Sequence, residues 1–252
     1  LARPDCVTRR PLPPITLNTF TPVFVAFALA AVAWRLWLLA RHARHVARHR
    51  DRVPADFAAL VPPESHARAA DYTRDKVRVA AVEAVLVDGA LLLALSVGGG
   101  LAVLDGLSRD LFGDGYARDL ATVFAFLAVG ALASLPFDAW RTFGIEARHG
   151  FNQTTPATFA ADIAKGLALA VALGAPLVLA VCWFIRTTGA WWWVWAWVAW
   201  VAFTLVLVAI FPRWIAPLFN RFTPLEEGEL RSRIEALVAR CGFRAEGLFV
   251  MD

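Results

Sequence analysis

The stretch RTFGIEARHGFNQTT (141–155) decides how the chain is read, because it is polar and lies between two long apolar runs. It holds Glu146-x-x-His149, the i, i+3 spacing of helical metal sites. A di-iron carboxylate site needs a second such pair and two more glutamates on facing helices. The chain has no second E-x-x-H, and Gly144 and Gly150 bracket a segment too short for a bundle helix. Arg141, Arg148, Asn152, Gln153 and Thr154 suit an ordered loop that docks on something instead.

Outward from this stretch, five runs have about the length that crosses a bilayer as a helix, roughly 20 residues. They cover residues 20–40, 79–104, 120–135, 166–185 and 190–210, the third ending at Pro136. The chain has 252 residues, 59% of them hydrophobic, and a mean hydropathy of +0.56, so the apolar excess is membrane-spanning rather than a large soluble core. The expected class is therefore an all-α polytopic membrane protein. Six of the eleven tryptophans fall in 191–200, where an interfacial belt accounts for them better than a ligand box.

Lys and Arg in short loops set orientation. Nine lie in 41–78, against Arg109 and Arg118 in 105–119 and Arg186 alone after the fourth span. The 41–78 and 136–165 loops and the tail after 210 are thus expected in the cytoplasm, with residues 1–19 an N-terminal tail outside. The net charge of +4, with no interleaving of basic and aromatic residues, excludes a nucleic-acid surface. Cys6, Cys182 and Cys241 form no C-x-x-C pair.

His42, His45 and His49 share a helical face, yet Arg41, Arg44 and Arg48 stand among them and repel a cation. A basic juxtamembrane helix against anionic headgroups is the better reading. Asp88 and Arg35 lie within spans, where ionisable groups face protein or a water-filled cavity. Asp88 is the candidate chamber residue, whereas Glu83 is interfacial if its span starts there. The tail reads as soluble: Thr223, Pro224 and Glu226 form a capping box. Leu230, Ile234, Leu237 and Val238 make an apolar stripe, Gly242 stops the helix, and GLFVMD looks like a first strand with nothing to pair with. A start at Leu1 and a stop at Asp252 suggest a fragment of a longer protein.

Three stretches carry a resemblance. LPFDAWRTFGIEARHGFNQTT (135–155) resembles the signature between the third and fourth spans of Ste24-type CAAX prenyl proteases, the M48 zinc metallopeptidases. ARAADYTRDKVR (67–78) and IFPRWIAPLFNRFTPLEEGELRSRIEALV (210–238) are similar to the segments before the second span and after the fifth. The resemblance runs from about residue 57 to 252, and implies a five-helix membrane module at 20–210 with a truncated α/β peptidase domain beginning at 211. It also implies Zn²⁺ in the full-length protein, held by an H-E-x-x-H helix and a later glutamate beyond Asp252, so that no catalytic or metal residue is expected in this chain. Glu146, His149 and Asn152 are expected to contact the peptidase domain. The implied partners are the lipid bilayer and a peptide or protein substrate. The Arg-rich, Lys-poor composition suggests a bacterial inner membrane. A non-catalytic scaffold related to the family and a transporter-like bundle remain the competing readings.

Overall fold

The structure, a computed structural model, describes residues 20–243 and 247–251. It divides at Thr154/Thr155 into two compact units. Five helical stretches are long and apolar enough to cross a membrane: Phe20–Arg48, Pro63–Ser96, Tyr116–Glu146, Pro156–Thr187 and Gly189–Phe219. The protein is an all-α integral membrane protein.

In the first unit, α1 (Phe20–Arg48) carries its apolar run straight into the basic segment without a break. The histidine-bearing segment is therefore helical, and His49 Nδ1 lies 2.9 Å from the His45 carbonyl oxygen. After a short turn, α2 (Pro63–Glu83) starts with Pro63 at its first position, where a missing N–H costs nothing. It continues through a π-helical segment (Ala84–Leu91) into α3 (Leu92–Ser96).

The helix ends at Ser96, short of the Leu104 expected from hydropathy. The cause is Gly98-Gly99-Gly100: Gly99 has φ +84°, and a Cβ on Gly98 would stand 2.6 Å from the Ala94 carbonyl oxygen. The segment 105–119, expected as a loop, is mostly helical, because α4 (Gly100–Phe112) fills it before α5 (Tyr116–Ala139) begins. Pro136 does not end α5. The helix passes through it and runs on as a second π-helical segment, Trp140–Glu146. The wider turn suits a ladder already missing the proline N–H. Gly144 is needed here, since a Cβ would meet the Trp140 indole at 3.2 Å.

In the second unit, Thr155 caps α6 (Pro156–Thr187), its Oγ1 accepting from Thr158 N at 3.1 Å. Gly189 (φ +57°) turns the chain into α7 (Trp192–Ile210), and the Phe184 and Trp195 rings stack at 6.3 Å across this hairpin. The tryptophans from Trp191 to Trp200 are largely exposed on this helix, as a belt in lipid requires. A third π-helical segment (Phe211–Ile215) and α8 (Ala216–Phe219) follow.

The expected capping box at Thr223 does not form. Thr223 lies in β1 (Phe222–Pro224), paired antiparallel with β2 (Phe249–Met251), and α9 (Glu229–Arg240) starts only after Gly228. Extended ladder pairing and a helix N-cap compete for the same backbone groups, and here the ladder wins. The apolar FVM segment (249–251) therefore has a partner after all. Gly242 (φ +75°) lies just past α9, as the stop signal required.

The α4–α5 turn is clamped by Arg118, whose Nε and Nη2 donate to the two Asp105 oxygens at 2.8 and 2.6 Å. This bidentate guanidinium holds the Asp105 carboxyl below its ordinary range. A carboxylate depressed on folding contributes stability above about pH 4 and loses it as the pH falls through the lowered value. Amide exchange across residues 106–121, corrected for intrinsic rates, should accelerate on acidification below about pH 4. Asp105→Asn should show that faster exchange already at neutral pH and remove the dependence.

Candidate functional site

In the first unit, α2 and the π-helical segment after it form a spine of four carboxylates, each met by a cation from another part of the fold. Arg50, just beyond α1, grips Asp71 with two hydrogen bonds of 2.9 and 2.8 Å. The bonds to Asp71 and then Asp51 push the Arg50 guanidinium above its already high ordinary value, so it stays charged at any working pH. Asp75 faces His149 Nε2 at 3.4 Å and Arg148 at 3.5 Å. Glu83 is paired with Arg141, and Asp88 with Arg35.

The Glu83–Arg141 pair is the buried one. The Glu83 side chain is 11% exposed, and next to it in sequence Ala84 is fully buried. Arg141 opens the second π-helical segment, whose Ile145 is the largest fully buried side chain among the described residues. Asp138, one turn back, accepts from the other Arg141 nitrogen at 2.6 Å. Both π-helical segments thus adjoin one ion pair, and such insertions recur where a helix must re-aim side chains at a functional site.

Asp88 and Arg35 pair between the first two spans while staying 39% and 46% exposed. The pair therefore still presents charge to its surroundings. Sequence reasoning singled out both residues but did not join them.

His149 is held against α2. The His149 ring stands edge-on to Tyr72 at 5.3 Å, and Phe151 packs on the same tyrosine at 5.1 Å. The Glu146 carbonyl oxygen accepts from the backbone N–H of Phe151 (2.8 Å) and Asn152 (3.2 Å), closing the helix end before Gly150 (φ +79°) reverses the chain. Asn152 Oδ1 accepts from Thr154 N at 2.7 Å and aims the chain into the Thr155 cap. The stretch from 147 to 154 is thus a loop fastened to α2. Tyr72 and Asp75, which fasten it, were missed as individual residues; their signal was an i, i+3 pair on the polar helix before the second span. Glu83, read as interfacial, is instead buried, because its burial depends on Arg141, distant in sequence.

Among the described residues, no group of three or more His, Cys, Asp or Glu side chains converges as a metal site. His42, His45 and His49 share a helix but gather no carboxylate or thiolate. The described residues supply no ligand set that fits a zinc ion.

Glu83→Gln would strand Arg141 beside a half-exposed Asp138. Breaking a buried pair from one side costs about 3 kcal/mol, so the detergent-solubilised protein should unfold at a clearly lower temperature. Asp138→Asn removes only an exposed partner and should cost under about 1 kcal/mol. Equal losses in the two variants would deny Glu83 its special place.

Residues 42–221 match the family described as CAAX prenyl protease N-terminal, five membrane helices. A CAAX prenyl protease 1 homolog of Oryza sativa is 33% identical over 222 residues, covering 83% of this chain and 51% of the relative. The homolog of Homo sapiens is 29% identical, covering 89% and 50%. The crystal structure of S. mikatae Ste24p shares the fold, with a TM-score of 0.77 at 24% identity over 94% of this chain and 56% of that one. The chain thus spans about half the length of the curated relatives it matches. With five apolar helices, a family match over most of its length and relatives named CAAX prenyl protease 1 homologs, the chain belongs to the Ste24-type CAAX prenyl protease family, as its N-terminal five-helix module.

Proposed function

We propose that the chain is the N-terminal membrane portion of an integral-membrane zinc metalloendopeptidase that cleaves membrane-associated or CAAX-type substrates. The observation that carries this reading is the family match over residues 42–221, joined to relatives named CAAX prenyl proteases. Zinc and the H-E-x-x-H helix belong to the part of the full-length protein outside this chain. The module's own work is steric: its spans wall a water-containing chamber that admits an extended peptide. The exposed Arg35–Asp88 pair supports this, because a charged pair at membrane depth that is not sealed in protein needs water or a polar partner beside it.

The 41–78 and 136–165 loops and the segment from 211 onward lie on the cytoplasmic side, as the nine basic residues in 41–78 favour. The membrane is a bacterial inner membrane, in keeping with an Arg-rich, Lys-poor composition. Residues 211–252 begin the peptidase domain. The loop holding Glu146, His149 and Asn152 offers that domain a preformed surface, since Asp75 and Tyr72 already fix its shape. Ordering such a loop in advance removes an entropy cost from docking.

The test uses the full-length protein, assayed for bound zinc and for hydrolysis of farnesylated and unmodified CAAX peptides. We expect near-stoichiometric zinc and chelator-sensitive cleavage. A zinc-free protein that cleaves neither peptide would mean a non-catalytic membrane scaffold. Alanine at Glu146, His149 and Asn152 should each lower activity or thermal stability at unchanged zinc content. No change in any of the three would overturn the docking role.

A further inference from the structure

A groove of about 400 Å³ runs between α1, α2 and the start of the Trp140–Glu146 segment. Leu39, Val77 and Ala80 form its apolar wall, and His42, Lys76 and Arg141 line its polar part. We propose that this groove is a binding site for the phosphate headgroup of an anionic phospholipid, seated where α1 leaves the bilayer.

Position comes first. The groove spans the point at which the apolar run of α1 gives way to RHARHVARHR: Leu39 stands on the apolar side of that boundary and His42 on the polar side. Trp37, 45% exposed, lies one turn before Arg41, whose guanidinium sits 5.5 Å from the indole centroid. An indole with a cation above it marks the headgroup level of a membrane helix.

Charge decides the occupant. Lys76 donates to the Tyr72 hydroxyl at 3.1 Å and lies 5.0 Å from that ring's centroid, so its contacts are with a neutral side chain. Among the described residues it forms no ion pair with a carboxylate, and neither do Arg41, Arg44 and Arg48 on the adjoining end of α1. Several cations at this end of the unit are paired with carboxylates: Arg50 with Asp71, Arg141 with Glu83 and Asp138, Arg78 with Asp75. Lys76, with no carboxylate partner among the described residues, thus lines a concave site with an apolar wall, beside the basic end of α1. A phospholipid matches both halves, its phosphate meeting Lys76 and His42 and its first acyl carbons covering Leu39, Val77 and Ala80. A free inorganic anion would leave the apolar wall unused.

The experiment is native mass spectrometry of the full-length protein in non-ionic detergent, titrated with palmitoyl-oleoyl phosphatidylglycerol or with phosphatidylcholine of the same chains. Lys76→Gln and Arg44→Gln are compared, each first shown monodisperse with a near-wild-type melting temperature. If Lys76→Gln does not meet that condition, Lys76→Arg and His42→Gln take its place, the first expected to retain binding and the second to weaken it. Phosphatidylglycerol should bind in preference to phosphatidylcholine. Loss of one basic contact near the surface should weaken it about fivefold in Lys76→Gln, with a smaller effect in Arg44→Gln. Equal binding of the two lipids, or equal loss in the two variants, would reduce the effect to diffuse attraction and overturn the site. Competition by millimolar inorganic phosphate as effective as by lipid would make it a phosphate site instead. Failure of phosphatidylglycerol to bind the full-length protein at all would likewise overturn the site.

Discussion

A charge carried into a bilayer must find a partner, and that constraint organises the first unit. An unpaired acid or base at mid-depth costs about 3 kcal/mol or more, comparable with the whole contribution of many core contacts. Glu83 meets it by pairing with Arg141, far away in sequence and buried beside it. The pair ties the end of α2 to the end of α5, and fully buried Ala84 and Ile145 adjoin its two members. Each helix runs on from its member of the pair with a changed backbone. Each does so through a π-helical segment, Ala84–Leu91 in one and Trp140–Glu146 in the other.

Three other carboxylates of this helix follow the same rule with less burial. Asp71, Asp75 and Asp88 each take a cation from a different element, so α2 serves as an axis onto which α1 and the 147–154 loop are fastened. The consequence for function is rigidity at one end and residual polarity within the spans. His149 and Phe151 hold the loop against Tyr72, which presents a fixed surface. Arg35 and Asp88 neutralise each other but stay half exposed, which suits a wall against water better than a wall against lipid.

Several features were readable from residue types alone because their physics is local. A run of about twenty apolar residues forces its own backbone to satisfy itself as a helix, whatever its neighbours do. Five such runs therefore announced five helices, and the interfacial tryptophans of 191–200 announced the start of one. Gly242 acted as punctuation where expected. Local signals failed where another segment competed for the same groups. Thr223 looked like a helix cap until Val250 offered it a strand partner, and Pro136 looked like a helix end although the helix carried on past it.

By itself, the sequence determined that the chain crosses a membrane, about where it does so, and through the spacing of its motifs which family it resembles. These depend on composition and short-range order. Tertiary structure alone decided which charges pair, that His149 meets Tyr72 and Asp75, and that Lys76 lines a groove without a carboxylate partner among the described residues. Those outcomes turn on distances between residues as far apart as Glu83 and Arg141 or Arg35 and Asp88. Periodicity along one helix cannot specify how two helices are rotated against each other, and only that rotation decides which side chains meet.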